Sequence, residues 1–267
     1  MDVIQRNFLR LLRCGAFGYR EQLEPMSEWK WQRLYQLSQI HGVTPWIADG
    51  IHLLSGDFFL QLSPTLRQQF YDDTTQRSEP RETQELTNPL LNRKLKKLAE
   101  EAGPQDVTFS MLNDVIAIAR NILTQGISLR QLISLGTRLR SSEQEAILPD
   151  LFKHWVDSLN MQQMARLEGM LLMQLFRFKA DEIPFTDVEG ISSSKAAHVV
   201  QDIFRLTEKK AADWYFTQGK SVFVRSNDSD AMMWHFKQSA RYMHYYPSEA
   251  FTNFLSNLAH SLSHIEE

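Results

Sequence analysis

Apolar residues in this chain recur at spacings of three and four, the period of a helix that buries one face. Val3, Phe8, Leu11 and Leu12 share such a face near the start, and Trp31, Leu34, Tyr35, Leu37 and Ile40 mark a second helix opened by Ser27. Leu91, Leu95, Leu98 and Ala102 predict another. Met111, Leu112, Val115, Ile116, Ala119 and Ile122 form a denser stripe, which predicts a central helix. Ser128 opens the next one around Leu129, Leu132, Ile133 and Leu135, leaving Arg130, Arg138 and Arg140 on its other faces. Further helices are expected around 150–159, 161–178, 193–215, 230–245 and 248–264.

Start and stop signals agree with this period. Thr44-Pro45, Ser63-Pro64 and Asn88-Pro89 each set a capping oxygen before a proline. The side chain can accept an orphan backbone N–H, and proline at the first helical position loses no bond. Gly42, Gly103 and Gly126 fall just past periodic runs, where a helix end needs left-handed backbone. Strand signals are sparse. Ser221-Val222-Phe223-Val224-Arg225 has no adjacent partner run, so it reads as an extended connector.

The pattern therefore predicts an all-α fold, a multi-helix bundle or two-lobed helical array with no substantial sheet. The expected division is a helical domain over 1–178 and an aromatic-rich helical segment over 193–267, with the second open to being part of the first. Between them, residues 179–192 carry Asp181, Glu182, Pro184, Asp187, Glu189 and Gly190, and read as a long acidic loop. The polar run 72–88 reads either as an exposed helix or as a linker.

Composition changes this picture little. Of the 267 residues 43% are apolar and 23% charged, an ordinary globular balance with a sizeable core. The formal net charge of -3 argues against nucleic acid as the main partner, while leaving room for a local basic patch. Cys14 is the only cysteine, which rules out an internal disulfide and a multi-cysteine zinc site. A reducing compartment follows, and cytoplasm is the expected location. Arg6, Arg10 and Arg13 interrupt the first apolar run, against a signal peptide. No run of apolar residues approaches a membrane span.

Candidate chemistry is thin. Gly219-Lys220-Ser221 followed by Asp228-Ser229-Asp230 has the spacing of a glycine-serine turn and an Asp-x-Asp metal pair. Such aspartates need a β-strand, whereas Ser229 and Asp230 lead into Ala231, Met232, Met233 and Trp234 and read as a helix start. His260 and His264 stand one turn apart without a third metal ligand, and His41 sits at a helix end. Cys14 lacks a positioned base and reads as a small core residue. No catalytic residue, cofactor site or metal site is assigned.

Cations and aromatics interleave only over 195–246. Lys209, Trp214, Lys220, Arg225, Trp234, Arg241 and Tyr245 are the candidate interaction surface within it. The plain reading makes most of the aromatics core. An interface reading gives them to a partner protein. A third reading uses the cations to hold a polyanion.

Two blocks resemble a known family. Residues 29–54, with Trp29-Lys30-Trp31-Gln32-Arg33-Leu34 and His41-Gly42-Val43-Thr44-Pro45-Trp46, are similar to the N-terminal helical segment of the uncharacterised bacterial nucleotidyltransferase-like family. Residues 110–185, through Gly126-Ile127-Ser128-Leu129-Arg130-Gln131-Leu132, Met164-Ala165-Arg166-Leu167-Glu168 and Asp181-Glu182-Ile183-Pro184-Phe185, resemble its C-terminal helical segment. In that family a catalytic sheet lies between the two. Here residues 55–109 have no strand pairs, glycine turn or Asp-x-Asp, and Asp72-Asp73 lies in a polar run of the wrong character. The ending Ser261-Leu262-Ser263-His264-Ile265-Glu266-Glu267 is similar to that of uncharacterised Bacteroidetes proteins. The resemblance implies a helical frame without its active module, hence a non-catalytic binding or scaffold protein whose partner is another protein. The alternative is a cryptic nucleotide-binding enzyme or sensor, in which Arg130, Arg138, Lys220, Asp228 and Asp230 converge.

Overall fold

The computed structural model describes residues 1–73, 84–103, 105–141, 147–185, 199–204 and 240–263, with side chains to residue 256. The chain forms α1 (Val3–Phe17), α2 (Glu28–Ile40), α3 (Thr44–Leu53), α4 (Pro64–Asp72), α5 (Pro89–Ala102), α6 (Val107–Thr124), α7 (Leu129–Leu139), α8 (Pro149–Ser158), α9 (Gln162–Phe176) and α10 (Pro247–Ser263). No strand occurs among the described residues, and the all-α expectation holds. The Ser221–Arg225 run and the Asp228/Asp230 pair lie outside the described residues.

Five of these helices begin where a side chain satisfies an orphan amide. Asn88 Oδ1 accepts from the N–H groups of Leu90 and Leu91 at 3.0 and 3.2 Å, and Ser63 and Ser128 accept from Leu66 and Gln131. Two starts were not anticipated. Asp106 caps α6 through the Phe109 N–H at 2.8 Å, and Asp2 with Gln5 closes a capping box on α1. Gly42, Gly103 and Gly126 have φ of 62°, 78° and 107°, as their places past helix ends require.

Thr44 is a correction. It is the first residue of α3 rather than its cap, and Val43 occupies the cap position with no side-chain bond. The Thr44 hydroxyl is fully buried and meets Ser38 Oγ at 3.1 Å instead. A buried hydroxyl pair satisfies both groups in place where no water reaches them.

The described residues pack as two compact units. The first takes the described parts of 1–80, 174–177 and 193–223, and the second those of 81–173, 178–192 and 224–267. The boundary near residue 80 falls in the polar run, of which α4 covers the start and 74–83 lie outside the described residues.

In the first unit, Phe8, Leu11, Leu12, Trp31, Leu34, Ile47, Ile51 and Phe70 are fully buried. Tyr35 meets Phe70 edge to face at 4.9 Å, and Phe8 meets Phe204 likewise at 6.1 Å. The crossing of α1 over α3 is close. A methyl on Gly15 would run into the Trp46 carbonyl and stand 2.8 Å from Gly50 N, and one on Gly50 would run into the Leu11 carbonyl. Each glycine thus faces the carbonyl one turn before the other glycine, and backbone packs on backbone.

In the second unit α6 is central, as its dense stripe implied. Met111, Leu112, Val115, Ile116, Ala119 and Ile122 are fully buried, and the helix touches α5, α7 and α8. Burying a Leu, Ile or Val side chain is worth roughly 1.5–3 kcal/mol each, so this stripe is a large share of the unit's stabilisation. Phe152 and Phe185 close one side with ring centroids 5.2 Å apart.

Candidate functional site

The first turns of α10 grip the segment that leads into α5. Glu249 is fully buried, and its carboxylate accepts from the Thr87 and Asn88 N–H groups at 2.6 and 2.9 Å. Thr87 Oγ1 donates to Asn253 Oδ1 at 2.6 Å, and Asn88 Nδ2 reaches Thr252 Oγ1 at 3.2 Å. Two amides that precede a helix have no intrahelical acceptor, and a buried carboxylate is a strong one. Below them Tyr246 is fully buried and donates to the Leu159 carbonyl at 3.1 Å. Burial pushes its phenol far above the ordinary range, with the Glu249 charge adding to it.

This clamp turns α10 inside out. Its buried positions Tyr246, Glu249, Ala250 and Asn253 follow helical spacing and include two polar residues. On the opposite side Phe251 and Leu255, one turn apart, are 55% and 46% exposed. Leu90, on the first turn of the gripped helix, is 71% exposed. The sequence shows the apolar period of this helix but not which phase faces inward. The signal that could have found it is the polar pair Glu249 and Asn253, four apart and in phase with Tyr246.

Of the surface expected from sequence, Lys209, Trp214, Lys220, Arg225 and Trp234 lie outside the described residues. Arg241 is exposed, four residues before Tyr245. Tyr245 is only 6% exposed; its ring lies 3.8 Å from His244 and 6.2 Å from Tyr242, and burial raises its phenol. It acts as a packing residue in this structure, in line with the plain reading of the aromatics.

Other candidates resolve into internal pairing. Arg13 bonds Glu21 at 2.6 and 2.9 Å and also reaches the Leu175 carbonyl, while Arg6 and Arg10 both bond Glu24. The arginines that interrupt the first apolar run thus hold the segment after α1 to its flank. The fork of Arg6 holds the Glu24 carboxyl down at about 2. Beside them an open depression of about 480 Å³ is lined by Arg10, Glu21, Glu24 and Phe59, its carboxylates already bound by these arginines. Cys14 is fully buried, and burial raises its thiol, away from nucleophile chemistry. His41 ends α2 and lies 6.0 Å from the Phe8 ring.

Arg138, offered for a nucleotide site, is 6% exposed and held inside the second unit. Its Nε lies 3.0 Å from Asp114 Oδ2, and Nη1 donates to Ser110 Oγ at 2.5 Å. Arg130 is half-buried on α7; Lys220, Asp228 and Asp230 lie outside the described residues. The His260 side chain and His264 do as well. Among the described residues no group of three His, Cys, Asp or Glu could hold a metal, and no helix is long and apolar enough to cross a membrane. Set against protein-family models, curated proteins and solved structures, the chain matches none of them.

Proposed function

We propose that this chain is a non-catalytic helical binding or scaffold protein that meets a protein partner through its C-terminal third. The observation that carries the reading is the inverted α10, which buries Glu249 and Asn253 while exposing Phe251 and Leu255. A helix ordinarily hides its apolar stripe. Here the stripe is held outward by a clamp that satisfies every buried carboxylate oxygen of Glu249 with a backbone amide. Covering these half-exposed side chains would contribute about 1 kcal/mol each toward association. The resemblance to the helical segments of a nucleotidyltransferase-like family fits a chain that presents helices without their catalytic sheet.

The test is the double variant Phe251→Ser/Leu255→Ser, whose positions are exposed and whose melting temperature should stay within a degree or two of the parent. The tagged native chain, cross-linked in its own cells, should retain a defined protein that the variant loses. Equal retention by both chains would refute the assignment of this face. A rise in melting temperature on adding a nucleoside triphosphate with Mg²⁺ would move the balance to the nucleotide-sensor alternative.

A further inference from the structure

Glu168 lies on α9 within a run of fully buried residues, Met164, Ala165, Leu167, Leu171 and Leu172. It is itself fully buried, and neither of its carboxyl oxygens has a hydrogen-bond partner. An ionised carboxylate accepts only, and without a donor or a cation it cannot be held in an apolar interior. A neighbouring charge makes matters worse. Asp114 on α6 bears on Glu168 with the same sign, and the cation drawn to Asp114, Arg138 on α7, is shared out to Asp114 and Ser110. Three helices of the second unit thus place one paired carboxylate beside one unpaired one.

A pair of like carboxyl groups in one dry place keeps a proton on the member with the poorer solvation. Burial first, and the Asp114 charge second, raise the Glu168 carboxyl well above the ordinary carboxylate range. The side chain of Asp114 is 23% exposed and touches an arginine, whereas Glu168 has neither solvent nor a donor.

We propose that Glu168 is a proton-controlled element of the second unit, which folds with a neutral acid at this position and loosens around the middle of α9 when that acid is ionised. The native state binds this proton more tightly than the unfolded chain, in which Glu168 titrates in the ordinary range at about 4.3. Between that range and its raised folded value the native chain holds one proton more than the unfolded one. Stability conferred by the proton is therefore full below the ordinary glutamate range and is lost as pH rises through the folded value. The charged groups that bear on it are Asp114 and, through Asp114, Arg138.

The experiment follows the denaturation midpoint of the full chain against pH from 5 to 9, for the native protein and for Glu168→Gln, which keeps the shape and cannot ionise. The native unfolding constant should rise with pH by up to about tenfold per unit, and the variant should lack that part of the slope. Parallel curves would overturn the proposal. Should the variant not fold, carboxyl-labelled native protein decides. One glutamate resonance at the protonated position at neutral pH supports the proposal, and all glutamates titrating in the ordinary range overturn it.

Discussion

Replacing Gly15 by Ala should destabilise the first unit, although helix propensity favours the change. In an ordinary helix interior Ala is more stable than Gly by about 1 kcal/mol, and a buried methyl adds about 0.8 kcal/mol more. Against this stands geometry. The new Cβ would overlap the Trp46 carbonyl oxygen and lie 2.8 Å from both Gly50 N and the Trp46 carbonyl carbon. These are backbone atoms in the body of α3, so no side-chain rotation relieves them, and the two helices must separate by more than an ångström. Overpacking of this kind costs about 1–3 kcal/mol for side chains and more for backbone. Separation would also leave gaps around Leu11, Leu12, Ile47 and Ile51, all fully buried. The net expectation is a loss of about 2–4 kcal/mol, or roughly 6–12 °C in melting temperature for a chain of this size. Thermal and urea denaturation followed by circular dichroism measure it. Gly56→Ala is the internal control, because nothing lies within 4 Å of its added methyl. The double change Gly15→Ala/Gly50→Ala should cost less than the sum, since helices parted for one methyl already admit the other. A Gly15→Ala chain as stable as the parent would refute the close crossing of α1 and α3.

Glu24 should sustain the first unit against acid, with the opposite sign to Glu168. Its carboxyl is held at about 2 by Arg6, below its unfolded value, so its contribution is complete above the ordinary carboxylate range and is lost as pH falls through about 2. A carboxyl titration by nuclear magnetic resonance should find it the late-titrating glutamate, and Arg6→Gln should move it back upward. Glu249→Ala should cost about 2–4 kcal/mol, because two amides at the head of α5 lose a buried charged acceptor. Hydrogen exchange should show the Thr87 and Asn88 amides opening first. Unchanged protection there would contradict the clamp.

Some of the molecule can be read from local chemistry alone. The period of three and four, broken by Ser63, Asn88 and Ser128 before helices and by Gly42, Gly103 and Gly126 after them, determines an all-α chain and six of its helix ends. These signals are legible because capping and left-handed backbone involve only residues within one turn. The phase of a helix and the partner of a charge are different in kind. The spacing of Glu249 and Asn253 marks a polar phase near residue 250, but only the fold brings Glu249 to amides 161 and 162 positions earlier and leaves Phe251 outside. Nor does a stripe of Met164, Leu167 and Leu171 reveal that Glu168, which shares its face, will be sealed without a donor beside Asp114. Thr44 makes the same point on a small scale, since a serine six residues away decided whether its hydroxyl would cap a helix. Sequence determined which segments are helices, through forces that act along the chain. Tertiary structure decided which face of each is buried, which carboxylates find a cation or an amide, and where two backbones come close enough to need glycine, because those depend on groups that meet only across the fold.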